Sequence, residues 1–208
     1  MNEEHVEVVE ESATDEEDIA ILELLQMQTP KTAQWTIVYA IIGAIIYVGI
    51  AAIPLPYTMV SLFQFGLLPS IAVIGVVGAH RGPMAGFLSG YLGVILYDLI
   101  FTGLIVTMTL PAVAYGVLGL VIGLPRYQFD NGRSLGKLSL LSVVGFVFTT
   151  LLVVVIGITV ESYSTLVAIG FVMLPMLTVG LPSALLLTPV FARIWYEVTR
   201  RIGQESEE

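Results

Sequence analysis

Residues 34–53 read QWTIVYAIIGAIIYVGIAAI, twenty residues without a charge. Coiled as a helix they extend about 30 Å, the thickness of the hydrocarbon core of a bilayer. Apolar side chains occupy every side of that helix, so it has no face to offer water. Pro54 and Pro56 follow at once and stop it. The stretch reads as a membrane span, and the rest of the chain is read outward from it.

Five more apolar stretches follow: about 63–79, which contains Pro69; 83–101; about 108–124, closed by Pro125; 138–160; and 166 to about 191. A polar segment, 126–137, separates the fourth from the fifth. Pro175, Pro182 and Pro189 recur every seven residues, nearly two turns, so they share one side and should bend the last helix. The expected architecture is an all-α membrane protein of six transmembrane helices over residues 31–195. Residues 1–30 form an acidic tail, disordered up to Asp18, with a short interfacial helix turn over 19–27. Residues 196–208 form a C-terminal tail.

Charge placement fixes the expected topology. Of 17 Asp and Glu residues, ten lie between Glu3 and Glu23 and four from Glu197 onward; only Asp98, Asp130 and Glu161 stand between. The net charge of −9 therefore belongs to the tails, and it gives no basic surface for a nucleic acid. All eight cations, Lys31, Arg81, Arg126, Arg133, Lys137, Arg193, Arg200 and Arg201, fall on one side if the chain crosses six times. The positive-inside rule then puts both termini in the cytoplasm. With five crossings, the second stretch being re-entrant, the cations would be divided between the two sides. The chain has no cysteine, which removes disulfides, thiolate metal sites and a cysteine nucleophile.

Small residues mark where helices approach closely. Gly82, Gly86 and Gly90 form one face of the third span, and Gly116, Gly119 and Gly123 do the same on the fourth. Ala40 and Ala44 lie four apart on the first, beside Gly43. Each face reads as packing within the chain or as a dock for a separate membrane subunit.

Several runs together resemble the S component of an energy-coupling factor (ECF) transporter: Ile53-Pro54-Leu55-Pro56, Phe63-Gln64-Phe65-Gly66-Leu67-Leu68-Pro69, Arg81-Gly82-Pro83-Met84-Ala85-Gly86-Phe87-Leu88-Ser89-Gly90, and Tyr97-Asp98-Leu99. The resemblance covers roughly residues 40–124 by motif and the remainder by span count and orientation. It implies a six-helix S-component bundle in the cell membrane that captures one vitamin or related micronutrient near its outer face. The loop at about 54–62 would close over the site as a lid. The Ala-x-x-x-Ala pattern matched by Ala40 and Ala44 would meet a transmembrane coupling subunit, and two cytoplasmic ATPases would complete the importer. The acidic N-terminal tail departs from the family pattern. The chain itself carries no Gly-rich loop ending in Lys and Ser or Thr, so ATP is expected to be used by the partner subunits and no cofactor by this chain. No ionisable residue lies at mid-span to relay a coupling ion, which favours a binding subunit over a self-sufficient antiporter.

A binding site needs polar groups converging on an apolar cavity. The outer half of this topology offers Tyr57, Gln64, Asp98, Tyr115, Glu161 and Tyr163 as ligand candidates. Asp98 ends an apolar run, where a carboxylate is expensive unless paired or wet; it reads as a ligand contact or as a solvated helix end. Tyr57 and Tyr163 could stack on a flat ring, or belong to the interfacial aromatic belt. Gln64 reads as a ligand contact or a helix-start hydrogen bond, Tyr115 as a contact or as packing, and Glu161 as a contact or plain loop. Two outer carboxylates and no outer cation suit a neutral or cationic ligand.

The rivals are a stand-alone small-solute carrier or channel and, with least support, an intramembrane hydrolase built on Ser89. The only histidines are His5 in the tail and His80 in a turn, about 13 Å of helix rise from Ser89, beyond reach of a general base. No enzyme activity and no metal site is expected.

Overall fold

The computed structural model describes residues 30–53, 58–60, 63–101, 103, 109–130 and 132–205. The acidic segment before residue 30, its expected interfacial turn and Tyr57 lie outside the described residues. The elements run α1 (Pro30–Ala51), β1 (Thr58–Val60), β2 (Phe63–Phe65), α2 (Pro69–Arg81), α3 (Pro83–Phe101), α4 (Thr109–Gly123) and α5 (Gly132–Thr159). A last long helix follows, π-helical at Val167–Met173, α-helical as α6 (Leu174–Pro182), π-helical again at Ser183–Leu187, and α-helical as α7 (Thr188–Glu205).

Four stretches are long and apolar enough to cross a bilayer: Ala33–Ala51, Pro83–Phe101, Gly132–Thr159 and Val167–Arg201. Large apolar side chains face outward on them: Ile45 is 60% exposed, Leu140 64% and Phe171 61%. The buried positions are instead rich in Ala, Gly, Ser and Thr. Water would not tolerate that inversion over so much surface, whereas lipid does not penalise it. The chain is a helical, multi-pass membrane protein. Helices α2 and α4 are shorter, 13 and 15 residues, or about 20 and 22 Å, and much of each is buried.

The second apolar stretch differs from expectation. Phe63–Phe65 is a strand, paired antiparallel with Thr58–Val60 in the register Thr58↔Phe65, Met59↔Gln64 and Val60↔Phe63. The helix begins only at Pro69, because proline fits the first turn, where its missing N–H has no intrahelical partner. The Leu68 N–H donates to Ser183 Oγ at 2.6 Å and ties this bend to the last helix. The last helix also runs further than expected. It continues to Glu205, so the residues read as a tail from 196 onward extend α7. Its two π-helical stretches lie just before Pro175 and Pro189. The wider turn accommodates the hydrogen bond that each proline cannot donate.

The glycine faces join α3 to α4. A Cβ on Gly86 would overlap the Gly119 carbonyl, one on Gly90 the Tyr115 carbonyl, and one on Gly123 would lie 2.5 Å from Pro83 Cα. Gly82 turns α2 into α3 at φ 91°, a conformation that favours glycine. Thr149 Oγ1 adds a hydrogen bond across helices to the Ala114 carbonyl at 3.0 Å, a contribution of about 0.6 kcal/mol in a membrane. The glycine stripes serve packing within the chain.

Candidate functional site

Helix α1 buries one stripe: Thr36, Ala40, Gly43, Ala44 and Tyr47. These positions recur at three and four residues, one face of a helix, and the face lies against α2 and α3. Gly43 sits so close that a Cβ there would overlap Ser89 Oγ and lie 2.6 Å from Val77. Ala40 and Ala44, expected to meet a coupling subunit, are fully buried in this seam. The surface α1 presents outward is made by β-branched residues such as Ile41 and Ile45. In this conformation the two alanines offer no accessible surface.

The same stripe delivers Tyr47 to the end of the bundle where α3 finishes. Its ring rests on Gly93, where a Cβ would lie 2.9 Å from Cδ1. Tyr47 lies within electrostatic reach of Tyr115, Tyr97 and Asp98, and Ser70 faces it. Ser70 is 1% exposed, and its Oγ has no hydrogen bond of good geometry among the described residues. Asp98 is only 3% exposed. Four helices thus converge: α1 with Tyr47, α2 with Ser70, α3 with Tyr97 and Asp98, and α4 with Tyr115. Tyr115 keeps accessible surface although protein surrounds its hydroxyl. Helix α3 closes just beyond, where the Gly103 N–H donates to the Asp98 carbonyl at 3.0 Å and Gly103 takes φ 71°.

A buried carboxylate can accept hydrogen bonds from amine or hydroxyl donors, and the phenol rings within reach of Tyr47 offer aromatic faces for stacking. The carboxylate sits near the C-terminal end of a helix, where the backbone dipole does not favour an anion.

Of the candidates, Asp98 and Tyr115 both lie within electrostatic reach of Tyr47, as does Tyr97, with Ser70 facing it. Tyr47 was missed because a lone tyrosine inside an apolar span reads as packing; its position seven residues after Ala40 was the available signal. Gln64 lies in the hairpin opposite Met59, and its backbone alone is described. Glu161 and Tyr163 occupy the turn after α5. There the Tyr163 ring lies on Gly157, and hydrogen bonding toward Glu161 raises the Tyr163 hydroxyl above its ordinary pKa, with a smaller push from burial.

The opposite end of the bundle holds the cations. Arg81 Nη2 donates to the Tyr39 hydroxyl at 2.5 Å, and its guanidinium lies 3.7 Å from that ring's centroid. His80 stacks on Phe129 at 4.0 Å. Arg193 donates to the Phe129 carbonyl and lies 3.7 Å from Asp130, which also accepts from the Tyr196 hydroxyl at 2.6 Å. These contacts gather the first half of α1, the end of α2, the 124–130 turn and α7 at one end. His80 stacks here, while Ser89 faces Gly43 on α1. Among the described residues no group of three His, Asp or Glu could hold a metal ion.

A UPF0397 protein of Vibrio atlanticus (strain LGP32) is 33% identical to this chain over 122 residues, which are 59% of this chain and 65% of that protein. The chain thus spans just under two thirds of the length of the curated relative it matches. No protein-family model matches the chain. No solved structure matches it.

Proposed function

We propose that this protein is the substrate-capturing membrane subunit of an ATP-driven ECF-type importer, binding a vitamin or related micronutrient. The observation that carries the reading is Asp98, a buried carboxylate within electrostatic reach of Tyr47, which also reaches Tyr97 and Tyr115, at the end of the bundle away from the cations. The chain crosses the cell membrane six times with both termini in the cytoplasm, so this cluster faces outward. A transmembrane coupling subunit and two cytoplasmic ATPases supply the work, since the chain has no phosphate-binding loop of its own. The site binds and releases its ligand and catalyses no reaction. Its carboxylate and phenols suit a neutral or cationic molecule with a flat ring.

The test is to purify the protein, identify by mass spectrometry the small molecule it retains, and titrate that molecule calorimetrically. Asp98→Asn and Tyr47→Phe are expected to weaken binding at least tenfold, which is about 1.4 kcal/mol each. Unchanged affinity in both variants, with the fold intact, would refute the site. Reconstitution without an ATPase–coupling module should give binding but no accumulation. Accumulation by this chain alone would favour the stand-alone carrier.

A further inference from the structure

On the flank of the bundle α1, α2 and α7 leave an open apolar groove of about 430 Å³. Val73 and Val77 lie on α2, Ile46 and Ile50 on α1, and Phe191 on α7. The polar character is confined to one end, where Tyr39, His80, Arg81 and Trp195 line it. From Ile50 to Tyr39 the groove follows α1 for twelve residues, about 16 Å from end to end. That matches one leaflet, half of the roughly 30 Å hydrocarbon core. A transmembrane partner helix would need a groove about twice as long.

The polar end has the composition of a membrane interface. Trp195 and Tyr39 are residues of the aromatic belt. Arg81 is exposed and is held in place by Tyr39 through both a hydrogen bond and the ring face. A guanidinium has five N–H donors in a planar fork, so the bond to Tyr39 leaves donors for an oxyanion. Val76 O lies 3.0 Å from His80 Nδ1, and Nε2 has no hydrogen-bond partner among the described residues. The groove thus offers an apolar trough of single-leaflet depth that ends under a fixed cation.

We propose that this groove is a binding site for an anionic phospholipid, with an acyl chain along α1 and α2 and the headgroup phosphate on Arg81. The lipid fills the flank that the chain's own helices leave open and is independent of whatever occupies the Asp98 end. A net anionic headgroup is favoured there over a zwitterionic one, whose phosphate is offset by its own ammonium, because one interfacial cation contributes about 1 kcal/mol toward an anionic lipid surface.

The experiment is native mass spectrometry of the full chain, released from nanodiscs of equal phosphatidylglycerol and phosphatidylcholine with identical acyl chains. The wild type is expected to retain phosphatidylglycerol about fivefold over phosphatidylcholine, the ratio that 1 kcal/mol gives. Arg81→Gln should bring the ratio to about one, and Ile46→Trp, which fills the trough, should lower retention of both lipids. Melting temperatures check that each variant is folded. Equal retention by the wild type, or a preference that survives Arg81→Gln, overturns the proposal. So does an Ile42→Cys crosslink to a second copy or another membrane protein in native membranes, since the groove would then have a protein occupant.

Discussion

Gly86 on α3 and Gly119 on α4 meet backbone to backbone, each standing where the other's Cβ would have to be. The contact is the middle rung of a ladder that begins where Gly123 touches Pro83 and ends where Gly90 touches the Tyr115 carbonyl. The last rung fixes Tyr115 alongside the third helix. Close approach of this kind substitutes for the hydrophobic effect, which does not draw helices together in lipid.

Enlarging a rung should therefore separate the helices. Gly119→Val is expected to lower stability by about 1–3 kcal/mol, the usual cost of overpacking, and to lower the melting temperature in detergent. Gly49, with nothing within 4 Å of its would-be Cβ, is the control. Gly49→Ala should leave the melting temperature unchanged or raise it, because alanine is the better helix former by about 1 kcal/mol. Equal losses at the two sites would contradict the ladder.

The absence of native cysteine makes accessibility easy to read. Single cysteines at Arg133 and Arg200 are expected to react with a membrane-impermeant maleimide only after cells are opened. One at Ser162, in the turn after α5, should react in intact cells. Labelling of all three from outside would show that the crossings had been miscounted.

Arg193 ties α7 to the turn before α5 through Phe129 and Asp130, and Tyr196 adds a second tie to the same carboxylate. Tyr196→Phe should cost about 0.5–1.5 kcal/mol, one hydrogen bond, in a reversible denaturation assay. Arg193→Ala removes more and should also speed proteolysis of the 124–130 turn. Asp130→Asn, which keeps the shape but weakens both partners, should fall between them. An Arg193→Ala variant cleaved at the wild-type rate would show that the tie is decorative.

The Tyr163 hydroxyl is held above its ordinary value by hydrogen bonding toward Glu161 and, second, by burial. A raised folded pKa means its stabilising contribution is complete below the ordinary tyrosine value of about 10 and is lost as pH rises through the higher folded value. The expected loss thus begins near pH 10 and continues above it. Ultraviolet titration of wild type against Tyr163→Phe should reveal one late-titrating phenol. Glu161→Gln should bring it back toward the ordinary range, and a Tyr163 that already titrates normally in the wild type would contradict the pairing.

Much of the molecule was legible before any coordinates. Span-length apolar runs, a basic set confined to alternate connections and glycines at intervals of three and four are one-dimensional signals, and each maps onto a physical constraint of lipid. Other features were not. Phe63–Phe65 reads as apolar whether it forms a strand or a helix, and only pairing with Thr58–Val60 decides it. Ala40 and Ala44 are small on any reading. Whether small means an open dock or a closed seam depends on what lies opposite, and here α2 and α3 do.

By itself the sequence determined that this chain lives in a membrane, because the solvation of side chains along a helix is a property of each segment alone. It also determined that the cations share one end. Tertiary structure alone decided that Tyr47, Ser70, Tyr97, Asp98 and Tyr115 form one cluster. They come from four helices, with up to 68 positions between the first and the last, and nothing local in the chain encodes which faces will meet.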